Sequence, residues 1–206
     1  MSPGPTFDRI YRALKGSLLR AEFGPGEHLE PVALGDRLHA SATPVRDALQ
    51  RLVGERLVEA PRHEGFRVPT LTEPELRDLL DWRARLLELA LRRPAPPASD
   101  GAKPRNPVIA TGPASTADLF LAIAGSTDSD AHLAAFAQIG DRLAAIEVVE
   151  PAVFDDLDAE FAELQLSFAS RHLTELRRGI AAYHRRRQRA AAELLAALRS
   201  RSQRQR

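Results

Sequence analysis

Four side chains stand out for the chemistry that their spacing permits. Ser41, Thr43, Arg46 and Gln50 fall in the run SATPVRDALQ, where Thr43-Pro44 reads as a helix start. Thr serves as N-cap, and Pro takes a first helical position where no amide bond is lost. Val45, Ala48, Leu49, Leu52 and Val53 then form an inward stripe, which leaves Arg46, Asp47, Gln50 and Arg51 outward. An outward arginine in a first helical turn can grip guanine O6 and N7, or a phosphate, with both prongs of its fork. Gln50, one turn further on, suits adenine. Ser41 and Thr43 can donate to phosphates at the turn, where helix amides and the positive dipole end also favour an anion.

The remaining chemistry-bearing residues make weaker patterns. Asp155, Asp156, Asp158, Glu160 and Glu163 spread over more than one face of a helix, as a solvated surface does, and do not form an acid–base pair. No G-x-S-x-G, H-E-x-x-H or P-loop pattern occurs, so no enzyme is expected. The chain has no Cys, which removes disulfides, zinc ribbons, iron–sulfur sites and cysteine nucleophiles. His132, His172 and His184 are zinc-competent types, but nothing local in the sequence pairs them; neither a metal nor another cofactor is expected.

The elements that must position the outward face of 43–53 can be read from periodicity. Phe7, Ile10, Tyr11, Leu14 and Leu18 define a first helix over 7–19, which ends before Gly24-Pro25-Gly26. A second, short helix starts near Pro31 and runs to Leu38, and a tight connection over 39–42 joins it to the helix at Thr43. After Gly54 the period changes. Residues 57–60 and 66–68 read as two short strands around the loop Arg62-His63-Glu64-Gly65, with a glycine available for positive φ. Three helices and a hairpin make a winged helix-turn-helix, whose third helix can enter a major groove about 12 Å wide. The wing residues Arg62, His63 and Gly65 are then placed to touch the neighbouring minor groove or backbone.

Beyond residue 71 the pattern is helical. One helix runs from Thr72 to about Leu91, and six prolines between Pro94 and Pro113 mark a linker or surface excursion at 92–114. Further helices are expected over 116–124 and 130–149, from Pro151, and from Leu173 onward, where alternating steps of three and four continue along one final long helix and Arg187 interrupts the apolar seam. The fold class expected is mainly α: a winged helix-turn-helix domain at 1–71 and an all-helical regulatory and dimerisation domain at 72–206. No secretory h-region and no run of about 18 apolar residues is seen, so a cytoplasmic protein with no membrane partner is expected.

Charge is distributed unevenly. The total of 29 basic and 28 acidic residues gives +1, yet residues 71–170 carry −9 and residues 171–206 carry +9. Residues 1–70 carry only +1, so a groove-reading helix there must work through a few placed groups; a winged helix serving as a protein-interaction module fits that charge equally well. The basic end reads as a solvated helix terminus, or as a contact with DNA phosphates or with the acidic middle of the same or a partner subunit.

The run PGEHLEPVALGDRLHASATPVRDALQRLVGERLVEAPRHEGFRVPTLT resembles the DNA-binding domain of GntR-family bacterial transcription regulators. The resemblance implies a dimeric regulator, usually a repressor, on a short palindromic double-stranded operator. It matches Ser41, Thr43 and Arg46 to DNA-contacting positions and Gly65 to the wing glycine. Ala42 stands where the family commonly has Arg, Arg56 where it frequently has Gly, and Asp47 where it usually has Glu. The segment LRDLLDWRARLLELALRR resembles the first helix of the FCD ligand-binding domain of the FadR-like branch, in a domain that looks shortened. That implies control by a small-molecule effector. The branch often holds a metal through Asp and a His four residues on; the counterpart here, DAEFAEL, has Asp158 but Ala162 at the His position.

Overall fold

The computed structural model describes residues 5–92 and 113–204. The helices of the first part are α1 (Pro5–Leu19), α2 (Pro31–Leu38) and α3 (Ala42–Gly54), followed by α4 (Glu73–Arg92). Then come α5 (Thr116–Ala124), α6 (Asp130–Glu147), a 3-10 turn at Glu150–Ala152, α7 (Leu157–Ala169), α8 (Leu173–Arg189) and α9 (Ala191–Arg204). The Pro-rich stretch lies almost wholly outside the described residues. No described helix is long and apolar enough to cross a membrane.

By internal packing the chain divides into two compact units that are not consecutive in sequence. One holds residues through Thr72, Asp141–Glu150 and residues from Glu193 on; the other holds Glu73–Gly140 and Pro151–Ala192.

In the first unit, Ile10, Leu14 and Leu18 of α1, Leu34 of α2 and Val45, Ala48, Leu49 and Leu52 of α3 share one core with Phe23, Leu29, Leu57 and Val58. This is the stripe that the spacing predicts, and each buried Leu or Val contributes about 1.5–3 kcal/mol. The turn between α2 and α3 is tight: the amide of Ala40 donates to the Gly35 carbonyl at 2.9 Å, and His39 takes φ +51. Gly35 is required there, because a Cβ would stand 2.6 Å from the Ala40 carbonyl oxygen. Arg9 of α1 donates to the Leu38 carbonyl at 2.9 Å and so fixes the end of α2.

The expected wing strands are a correction. Among the described residues there is no β ladder, only two isolated antiparallel bridges, Glu59 with Arg67 and His28 with Arg67. Glu59 and Arg67 exchange both backbone bonds, at 2.8 and 2.9 Å. In an antiparallel pair the next bonded partners would be 57 with 69 and 61 with 65. Pro69 and Pro61 have no N–H, so the pairing stops on both sides. The chain over 66–68 is also paired on its other edge, through Leu29 to Phe66 at 2.8 Å and Val68 to Glu27 at 2.9 Å. That third segment, one bridge long and carrying Glu27 and His28, has no alternating apolar pattern to announce it.

The C-terminal helix α9 belongs to the same unit and buries Leu194, Leu195 and Leu198. Its end abuts the loop before α2 so closely that a Cβ at Gly24 would fall 1.7 Å from Ser202 Oγ. An ion network ties α1, α3 and α6 together: Lys15 Nζ lies 3.0 Å from Glu55 and 2.6 Å from Asp141, and Tyr11 donates to Glu55 at 2.6 Å. Burial works against the Lys15 charge, but the bonds to Asp141 and Glu55 outweigh it and hold the ammonium above its usual range. Glu55 is likewise held below the usual carboxylate range: burial would raise it, and Tyr11 and Lys15 reverse that.

In the second unit α8 packs on α4 and α7, and α5 on α4. Three further expectations are corrected here. Pro151 lies within the 3-10 turn Glu150–Ala152 and opens no α-helix, and α7 begins at Leu157. The single long final helix is broken at Ala190, whose φ of −88° and ψ of 14° end α8. Arg187 does not interrupt the packing of α8, because its side chain is only 1% exposed. Its guanidinium stacks 3.5 Å from the Tyr183 ring centroid and lies 2.5 Å from Glu160 Oε2.

Beside it His184 is 2% exposed. Its Nε2 accepts from Arg83 Nε at 3.2 Å, which leaves Nδ1 to donate to the Ile180 carbonyl at 2.7 Å. Burial and the Arg83 charge push its pKa down to about 3. Between that value and about 6.5 the unfolded chain binds a proton here that the folded chain does not. Stability is therefore expected to fall as pH drops below about 6.5, by about 1.4 kcal/mol per unit from this residue, and to be indifferent to it above neutrality. Urea midpoints of the native chain and a His184→Gln variant test this. The native chain should show the steeper loss between about pH 6.5 and 4.5, and equal slopes would contradict it.

Candidate nucleic-acid interface

The helix that bears the candidate residues starts two positions earlier than expected, since Thr43 is not its N-cap. α3 begins at Ala42 with Ser41 as N-cap in extended conformation (φ −71°, ψ 161°), so Thr43 and Pro44 occupy the second and third helical positions. Pro44 is still within the turn where amides have no intrahelical acceptor. The Ser41 hydroxyl makes no capping bond to the helix, and the first-turn amides remain open at this end.

Because Val45, Ala48, Leu49 and Leu52 are fixed in the core, the opposite face is set. Ser41, Thr43, Arg46, Asp47, Gln50 and Arg51 are all exposed. Thr43, Arg46 and Gln50 are spaced by three and four residues and therefore share one face. Arg46 makes no hydrogen bond or ion pair with another described residue, so its fork is not already satisfied. Arg51 is not in the same state: it lies 4.0 Å from the Tyr11 ring centroid and 3.4 Å from Glu55. Periodicity places Arg46 and Arg51 outward alike; only the tertiary contact with α1 separates them.

The wing residues Arg62, His63, Glu64 and Gly65 are exposed on a turn closed by the Glu64 amide on the Pro61 carbonyl at 3.2 Å. His63 and Gly65 both take positive φ, +66° and +73°. Arg67, absent from the sequence-based set, organises the wing from its base, with Nε 3.0 Å from Glu59 and Nη1 3.0 Å from Glu64. Its place opposite Glu59 across the turn is the signal that could have found it. The structure thus gathers the candidates into two groups, Ser41, Thr43, Arg46 and Gln50 on α3, and Arg62, His63 and Gly65 on the wing.

The metal candidates are not gathered. Asp158 and His172 are exposed, His132 and His184 are buried, and among the described residues no cluster of three or more His, Cys, Asp or Glu side chains could hold an ion.

A recognition-type helix presenting polar residues beside a tight turn and a bridged wing is the arrangement of a winged helix-turn-helix. The family model for bacterial regulatory proteins, gntR family, matches residues 6–68, so this segment is a winged helix of the gntR type. The HTH-type transcriptional repressor GlaR of Escherichia coli (strain K12) is 40% identical over 87 residues, which is 40% of this chain and 40% of that protein. The Nta operon transcriptional regulator of Aminobacter aminovorans is 37% identical over 78 residues, 38% of this chain and 37% of that protein. The chain thus aligns with about two fifths of the length of these curated relatives. Across nearly its whole length it shares a fold with a GntR transcriptional regulator from Rhodococcus sp. RHA1 (TM-score 0.68, 19% identity, 93% of this chain and 98% of that chain). The same holds for E. coli McbR/YncC (TM-score 0.66, 18% identity, 93% and 99%). The architecture is therefore mainly helical, an N-terminal winged helix-turn-helix followed by an all-helical part.

Proposed function

We propose that the protein is a sequence-specific DNA-binding transcription regulator, a cytoplasmic homodimeric repressor on a palindromic operator, controlled by a small-molecule effector. Residues 1–71 are the DNA-binding domain and 72–206 the regulatory and dimerisation domain, an atypical, shortened FCD-like domain of the FadR-like branch. The observation that carries the reading is the exposed Thr43–Arg46–Gln50 face of α3, within the segment that matches the gntR model. In this reading Arg46 and Gln50 meet base edges, Ser41 and Thr43 meet phosphates, and Arg62, His63 and Gly65 bring the wing to the adjacent groove. No residue is assigned a catalytic role.

The α9 end of the chain packs against its own winged helix, which supports reading the terminal arginines as a helix end and not as the main DNA contact. A homodimer sets two recognition helices about 34 Å apart, one turn of duplex. Hydroxyl-radical footprinting on a bound duplex should show two symmetric protected patches separated by about one helical turn. A single unpaired patch would contradict the dimer, and uniform weak protection would contradict sequence reading.

A further inference from the structure

α4 carries two stripes. One, running from Leu76 to Leu91, faces the interior of its unit. The other is made of Asp78, Trp82, Arg85, Leu89 and Arg92, all exposed. Their steps of four, three, four and three residues are those of a helix-to-helix seam. The seam is charged at its ends and apolar between them, with Trp82 49% and Leu89 48% exposed. A solvated face needs neither residue, and Trp is among the types most enriched at the buried centre of interfaces.

Beside Leu89 a groove of about 400 Å³ runs between α4 and α8, with Ala84, Leu89, Ile180 and Ala181 as its apolar walls. The charges on its rim are matched: Arg85 to Asp81 at 2.7 Å, Arg92 to Glu88 at 2.8 Å, and Arg177 to Glu88 at 3.7 Å. A matched rim over apolar walls suits a large apolar knob better than a small polar ligand, which needs polar groups to orient it. The chain's one Trp stands on the same helix, seven residues away and about 10.5 Å along the axis.

We propose that this face of α4 is the homodimer contact. A second copy of the chain lays its α4 antiparallel to the first, about a two-fold axis near Arg85 and Leu86. Trp82 of each copy then sits in the groove beside Leu89 of the other. Both insertions are made at once, so the contact closes as a dimer and does not propagate. The proposal deepens the homodimer reading and rests on it.

Charge fixes the direction. In the register that brings Trp82 to Leu89, Asp78 comes within one residue of Arg92 of the second copy. Arg92 uses Nε on Glu88, and a guanidinium has five N–H donors, so it can take that carboxylate as well. The two Arg85 side chains approach near the axis, each with its own Asp81 beside it. A parallel pair would instead set Asp78 on Asp78, Arg85 on Arg85 and Arg92 on Arg92, which like charges oppose.

Trp82 is the only Trp in the chain, so its emission reports the contact. Dilution of the full chain, followed by sedimentation equilibrium and Trp fluorescence, should show a dimer whose dissociation moves the emission to longer wavelength. Leu89→Glu should weaken the dimer at least about tenfold. Asp78→Arg and Arg92→Asp should each weaken it about tenfold and, combined in one chain, should restore it. Leu166→Glu, at an exposed position on α7, should change nothing. A native dimer that Leu89→Glu leaves intact overturns this contact and leaves the homodimer reading standing. A chain that stays monomeric up to about 100 µM overturns both. Short-wavelength emission in such a monomer would mean that the chain's own residues cover the face. Should circular dichroism show that Leu89→Glu does not fold, the charge exchange decides: further weakening in the double variant overturns the antiparallel contact.

Discussion

Arg187→Ala is expected to lower the unfolding free energy of the helical part by about 3–5 kcal/mol. The guanidinium is 1% exposed and sits 2.5 Å from Glu160, so truncation leaves a partly buried carboxylate without its closest cation. It also removes the plate that fills the space between Tyr183, at 3.5 Å from the ring centroid, and Phe154, at 4.9 Å. Arg186, the next residue, pairs with Asp156 and Glu160 at a far more solvated position, and Arg186→Ala should cost less than about 1 kcal/mol. The pair of variants separates burial from charge, since the two residues differ in exposure and not in type. Urea denaturation followed by circular dichroism measures both. A cost below about 1 kcal/mol for Arg187→Ala would show that the site repacks and that the cation is not a structural element. Arg187→Lys should also be costly, because an ammonium cannot stack flat on Tyr183 while reaching Glu160.

Arg46→Ala is expected to weaken operator binding by about 1–3 kcal/mol per half-site, roughly ten- to hundredfold, with little effect on stability. The side chain is exposed on α3 and supports no described intramolecular contact, so its removal leaves the fold unchanged. Salt titration then sorts its role. If Arg46 reads a base, preference among duplexes collapses while the salt slope holds; if it grips a phosphate, all sequences weaken alike and the slope falls by about one per contact. Unchanged affinity and unchanged preference would favour a winged helix that serves as a protein-interaction module. Arg51→Ala provides the contrast, since Arg51 is engaged with Tyr11 and Glu55 and should affect folding before binding.

Much of the fold is legible in the sequence because helices announce themselves through spacing. The core stripe of α3 needs nothing beyond the positions of Val45, Ala48, Leu49 and Leu52. Apolar content alone suggests two wing strands, but Pro61 and Pro69 forbid a ladder longer than one pair. The break at Ala190 was not legible. Leu176, Ile180, Tyr183, Arg187, Ala190, Ala191, Leu194 and Leu198 keep helical spacing straight through it, and only packing shows that α8 and α9 bury their stripes in different units. A charged residue at a seam position, such as Arg187, looks like an interruption until its carboxylate, Glu160 on the preceding helix, is placed beside it.

The candidate site divides in the same way. Exposure of Thr43, Arg46 and Gln50 follows from the burial of the opposite face, so sequence suffices. The bracing of Arg67 and the engagement of Arg51 depend on contacts across the fold, and no spacing rule reports them. Only Lys15 and Lys103 are lysines among 29 basic residues, and Lys15 is the hub of the network joining Glu55 and Asp141, where a compact ammonium serves two carboxylates from different elements.

The central claim is that this chain reads a DNA sequence through α3. Selection of bound duplexes from a random pool by the full chain tests it most directly. The account predicts enrichment of an inverted repeat whose half-sites lie about one helical turn apart, with Arg46→Ala losing preference at one position in each half-site. A native chain that enriches no sequence over the starting pool would contradict it.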